Sequence, residues 1–128
     1  MKSLGFVEVT GVVAAVDALD IMCKSADVSF VSWERKLGGR LVTLIITGSV
    51  SAVTAAVENA KAQCIKKPCA CAVIANPHSE TVRLAELSAK RLEKQAKPVA
   101  KSSAKANTAK KTAAKSSAAN GEETTENQ

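Results

Sequence analysis

The apolar residues change period several times along the first 96 positions, and each change marks an element. Residues 4–9 (Leu-Gly-Phe-Val-Glu-Val) read as a β-strand. Gly11 then opens a stretch in which Val12, Val16, Leu19 and Cys23 recur at i, i+4, i+7 and i+11, the spacing of one helix face. Residues 28–33 and 41–47 are β-rich runs on either side of Lys36-Leu37-Gly38-Gly39, where glycine accepts positive φ, so the pair predicts an antiparallel hairpin. Gly48-Ser49 offers an N-cap, and Val50, Val53, Val57, Ala60 and Cys64 keep helical spacing until Lys66-Lys67-Pro68. Lysines there suit a helix C-terminus. Residues 69–75 form a fourth strand-like run, and Asn76-Pro77-His78-Ser79 makes a turn able to cap a last helix over 79–96. The order β-α-β-β-α-β plus a helix predicts an α+β, ferredoxin-like sandwich, with two helices covering one face of a four-stranded antiparallel sheet.

Composition shifts near Lys97. Residues 97–119 carry six lysines (97, 101, 105, 110, 111 and 115) and no acid, with Val99 the one aliphatic residue larger than alanine besides Pro98, too little apolar surface to offset chain entropy. The expected division is therefore a folded domain over 1–96 and a disordered Lys/Ala-rich tail over 97–128, whose end is acidic through Glu122, Glu123 and Glu126. Of the net charge of +6, half belongs to each part.

At 128 residues the chain suits one small domain, and two Phe, one Trp and no Tyr leave few stacking surfaces for bases or sugars. No apolar run approaches the roughly 20 residues of a membrane span and no export signal precedes the first strand, which predicts a cytosolic chain with no membrane partner. Cys23, Cys64, Cys69 and Cys71 are then expected to be free thiols acting as small buried hydrophobes, with no metal site, because Cys69 and Cys71 lie on one strand without the turn a zinc knuckle needs.

Catalytic candidates are few. His78 is the sole histidine and has no Ser, Asp or second metal ligand placed near it, so it reads as a turn or edge contact. Trp33 reads as a packing residue, and Asp17, Asp20 and Lys24 as a polar stripe on a subunit or solvent face, with Asp20 and Lys24 able to pair at i, i+4. Nothing implies an enzyme or a cofactor. The alanine-rich helices have narrow apolar stripes, and a thin core favours burial against further copies of the chain.

Across residues 3–90 the sequence resembles the single-domain, hexamer-forming shell proteins of bacterial microcompartments. The resemblance rests on Leu4-Gly5-Phe6-Val7-Glu8 with Thr10-Gly11, on Ala14-Ala15 through Asp20 and Met22 to Lys24-Ser25-Ala26, on Glu34, Gly38-Gly39 and Leu41-Val42-Thr43, and on Pro77-His78. It implies a flat homo-hexameric tile that packs edge to edge with other shell proteins around enclosed enzymes. It further implies that Leu37, Gly38 and Gly39 surround a narrow central pore and that Lys24 and the Asn76-Pro77-His78 turn lie at the edge between hexamers. Asn76 stands where many relatives have Arg, which removes a cationic fork from that edge. Arg35, Lys36 and Arg40 flank the turn; the sixfold repetition that the resemblance implies would make them three rings of positive charge, partly offset by Glu34, favouring small anionic or polar metabolites. On the residues alone, Gly38-Gly39 is a plain hairpin turn and the cations a solvated rim.

Two further readings follow from the residues. The same element order occurs in RNA-recognition modules, but only Phe6, Phe30 and Trp33 are available as sheet aromatics, so nucleic acid is not the expected partner. The lysine tail is a flexible solubilising extension or a means of recruiting acidic cargo, an acidic enzyme surface or nucleic acid.

Overall fold

The computed structural model describes residues 2–96, and the predicted tail over 97–128 lies outside the described residues. The elements follow the expected order: β1 (Ser3–Thr10), α1 (Val12–Ser25), β2 (Val28–Lys36), a 3-10 turn (Leu37–Gly39), β3 (Leu41–Gly48), α2 (Val50–Gln63) and β4 (Ala70–Ile74). A further helix, α3, occupies 79–96, and the first compact unit ends at Leu92. The strands pair in the order β2-β3-β1-β4, each neighbouring pair antiparallel, which is the split βαβ topology. No described helix is long and apolar enough to cross a membrane.

Strand parity divides the sheet into two faces. Val7 and Val9 of β1, with Val42, Leu44 and Ile46 of β3, meet α1 and α2 and are fully buried. Gly5 shares that face. A Cβ there would come within 2.7 Å of Val53 Cγ1 and 2.8 Å of Ile46 Cγ1, so the missing side chain is what lets α2 lie close on β1. The α2 N-terminus is capped as expected, the Ser49 hydroxyl accepting from the Ala52 amide at 3.2 Å, and Val53, Ala56, Val57 and Ala60 face the core.

The face of α1 differs from the expected stripe. Ala14, Ala15, Ala18 and Met22 are buried, whereas Val16 is 53% exposed and Cys23 is exposed; Val12 and Leu19 pack at the core's margin. Alanines let the helix backbone approach the sheet more closely than valines would, and Met22 fills the wider gap at the far end. The helix is thereby turned so that Val13 and Val16 point outward. Asp17 also departs from its reading as a bare surface acid: its Oδ2 accepts from the Ile65 amide at 2.9 Å and ties α1 to the loop after α2.

The second sheet face is covered by α3. Leu4 and Ile45 are buried against Ala85, with Phe6 and Val31 at the margin. Between Phe30 and Ser32 the β2–β3 register shifts by a bulge, and Val31 is the extra residue. Beyond it Ser32 is fully buried and its hydroxyl bonds that of Ser88 at 2.7 Å. The Ser88 hydroxyl also donates to Glu34, and Arg91 lies 3.7 Å from the same carboxylate. With α3 over this face, Phe6 is not available as a base-stacking platform, and Trp33 packs on the opposite face against the main core.

Candidate functional site

The hairpin between β2 and β3 is held at one end of the sheet, where Lys36 pairs with Leu41 and Leu41 with Thr10. Its backbone takes positive φ at three successive residues: Leu37 (53°), Gly38 (66°) and Gly39 (88°). The Gly-Gly pair made two of these legible, but the left-handed Leu37 carries a strain of about 1–2 kcal/mol that no residue pattern announces. The Arg40 amide closes the turn on the Leu37 carbonyl at 3.4 Å, and the Gly11 amide donates to the Arg40 carbonyl at 2.9 Å, anchoring the hairpin to the start of α1. Leu37 projects into solvent, 74% exposed.

Arg35, Lys36 and Arg40 are all exposed beside the turn. The Arg35 guanidinium lies 5.2 Å from the centroid of the Trp33 ring, a cation–π contact that holds it on the sheet face covered by α1 and α2. A cleft of about 400 Å³ opens between Val12 at the start of α1 and Arg35, Gly38 and Gly39. Glu34 departs from its expected role as an offset to these cations. Alternation along β2 turns it to the other face, where Ser88 and Arg91 engage it. Among the described residues, the hairpin thus presents three cations and exposed Gly38 backbone with no acid engaging them.

The residues expected at a tile edge gather at the other end of the sheet. α1 runs back from Gly11 to Ser25 beside the pairing of Val28 with Gly48 and of Gly48 with Ser3, and β4 ends where Ile74 pairs with Leu4. Lys24 and the 76–78 turn therefore share an end, separated from the hairpin by the strand length of about 25 Å. Lys24 Nζ is 2.7 Å from Asp20 Oδ2, and that hydrogen bond together with the carboxylate's charge raises the lysine pKa. Asn76 is exposed and Pro77 half-buried. His78 caps α3 in the way the turn predicted: its Nδ1 accepts from the Glu80 amide at 3.2 Å, and its carbonyl accepts from the Thr81 and Val82 amides.

The cysteines are less buried than expected. All four are free, with Cys23 and Cys69 exposed and Cys64 and Cys71 half-buried at the core's margin. The Cys64 thiol donates to the Ala14 carbonyl at 3.6 Å, while burial pushes the Cys71 thiol up, with nearby Lys61 opposing the shift. Among the described residues no group of three His, Cys, Asp or Glu converges as a metal cage. Sequence reading missed Val13 (75% exposed) and the α3 leucines Leu84 and Leu87 as surface apolar residues. Alanines at the true buried positions of α1 were the available signal for the first.

Comparison with known proteins gives this geometry a family. Residues 3–77 match the model of the BMC domain. Over 85 residues the chain is 41% identical to bacterial microcompartment shell protein PduA of Salmonella typhimurium, covering 65% of this chain and 89% of that protein. It is 40% identical to carboxysome shell protein CsoS1A of Hydrogenovibrio crunogenus over 61% of this chain and 83% of that one. It is likewise 38% identical to shell protein EutM of Escherichia coli over 62% and 84%. A crystal structure of a microcompartments protein from Desulfitobacterium hafniense superimposes with a TM-score of 0.60 at 25% identity, over 69% of this chain and 48% of the other. With the family's domain spanning the sheet, α1, α2 and the hairpin between β2 and β3, the chain belongs to the BMC-domain family of bacterial microcompartment shell proteins.

Proposed function

We propose that in this tile-forming shell protein the 35–40 hairpins of six chains meet at the sixfold axis and form a pore selective for small anionic or polar metabolites. The observation that carries this reading is the run of three positive-φ residues, Leu37 and Gly38 exposed and Gly39 half-buried, flanked by three exposed cations. Glycine keeps the opening free of side chains and leaves amides near the path, while six copies of Arg35, Lys36 and Arg40 concentrate positive potential there. Lys24 and the 76–78 turn, at the opposite end of the sheet, would contact neighbouring tiles.

The natural plug is Leu37, because it bears a side chain in the left-handed conformation already. Gly39 is a poorer choice: a Cβ there meets Val12 Cγ2 at 3.1 Å and the residue has φ +88°, so a bulky substitution strains the turn as well as blocking it. Leu37→Trp is expected to leave native mass at six chains and to cut passage of small anions across assembled shells by about tenfold, roughly 1.4 kcal/mol of barrier. Unchanged flux with intact hexamers would place the path elsewhere, and a monomeric wild type would overturn the tile.

We further propose 1–96 as the shell domain and 97–128 as a cationic segment that recruits acidic surfaces of enclosed enzymes. Six chains would bring 36 lysine charges from 97–119 to one tile. Cargo binding that weakens steeply with salt and disappears on deletion beyond Ala96 is the expected result; retention of cargo by the shortened chain refutes it, and equal binding of RNA would assign the segment to any polyanion instead.

A further inference from the structure

The outer side of α3 carries the least expected apolar residues of the subunit. Ala85 and Ser88 take the inner side, against Leu4, Ile45 and Ser32, so the small and polar residues are the ones that meet the sheet. On the isolated subunit Leu84 is 67% exposed and Leu87, more covered, is 37% exposed. Glu80, Leu84, Leu87 and Arg91 stand at i, i+4, i+7 and i+11, which puts them along one line of the helix, and the two charged side chains are about two-thirds exposed.

The order of this line is self-complementary. Read from the other end, acid-Leu-Leu-base becomes base-Leu-Leu-acid. A second copy laid antiparallel therefore sets Leu84 on Leu87 and Glu80 on Arg91, and the twofold axis repeats both contacts. We propose that α3 pairs in this way with α3 of a second copy of the chain. The proposal rests on the tile reading for its larger consequence. Neighbours in a sixfold ring meet through two different surfaces, whereas this contact is isologous, so it joins chains of two different hexamers. When two rings meet face to face, six such pairs act together, and contacts too weak to hold one pair of chains hold the double ring by avidity. Among the described residues the Glu80 carboxylate is bound by Arg83 of its own helix at 2.9 Å, and Arg91 reaches its own Glu34 at 3.7 Å, so both charges have capacity for a partner across the axis.

Sedimentation of the full chain over a range of concentrations tests this. The wild type should populate a species of twelve chains at high concentration, and Leu84→Glu with Leu87→Glu, at exposed positions that leave the fold intact by circular dichroism, should reduce it to six. Glu80→Arg alone and Arg91→Glu alone should each lower the twelve-chain population at least tenfold, and the double exchange should restore it, which a contact with any unrelated partner would not do. A wild type that stays at six at every concentration overturns the helix pairing while keeping the tile, as does a twelve-chain species that survives the two glutamates. Chains that stop at two and fall to one with those glutamates would keep the pairing and overturn the ring.

Discussion

Leu44→Ala should lower the unfolding free energy by about 2–5 kcal/mol, and by the same amount at every protein concentration. Leu44 is wholly buried in the centre of the sheet, where β3 lies between β1 and β2 and faces both covering helices. Removing its three outer carbons leaves a cavity that the alanine-lined helices cannot collapse to fill, since they already pack at close range. Val16→Ala makes the contrast. Its side chain is 53% exposed on the subunit, so the loss should stay within about 0.5 kcal/mol in dilute, dissociated protein and should grow with concentration as rings form. Urea unfolding of both variants at several concentrations separates the two behaviours. Equal, concentration-independent losses would mean that α1 is turned with its valines inward.

The second large effect concerns charge at the hairpin. Lys36→Glu combined with Arg40→Glu should reverse the preference of the opening, lowering anion passage by about tenfold or more and raising that of small cations, equivalent to about 1.4 kcal/mol in each barrier. Both side chains are exposed, and Arg40's structural contacts are made by its backbone, so the turn itself should survive. Arg35 is left in place because Trp33 holds it. The contrast should shrink as ionic strength rises, with a screening length of about 8 Å at 0.15 M. Permeation measured across assembled shells with paired anionic and cationic solutes of equal size provides the check; an unchanged ratio would show that these side chains do not border the path.

Much of the fold was legible because strand alternation and the Gly-Gly and Asn-Pro-His-Ser punctuation are local signals. The turn of α1 was not. Val12, Val16, Leu19 and Cys23 satisfy helical spacing as well as Ala14, Ala15, Ala18 and Met22 do, and hydrophobicity alone favours the larger set. The deciding quantity is the distance between helix and sheet, which is set by tertiary packing at places such as Gly5. The bulge at Val31 was hidden for a related reason, since an unpaired residue in a strand becomes visible only once its partner strand is in register. At the hairpin the residues were identifiable, but the side of the sheet each one takes was not; Glu34 was separated from its neighbouring cations by the pleat and then claimed by Ser88 and Arg91 of a helix far along the chain.

The chain has a single tryptophan and no tyrosine. Its ultraviolet emission thus originates almost entirely at Trp33, four residues before the Leu37–Gly39 turn and beneath the Arg35 guanidinium. A solute that draws that guanidinium off the indole face changes the fluorophore's immediate surroundings, so the unlabelled protein carries a built-in optical gauge of what occupies the mouth of the hairpin.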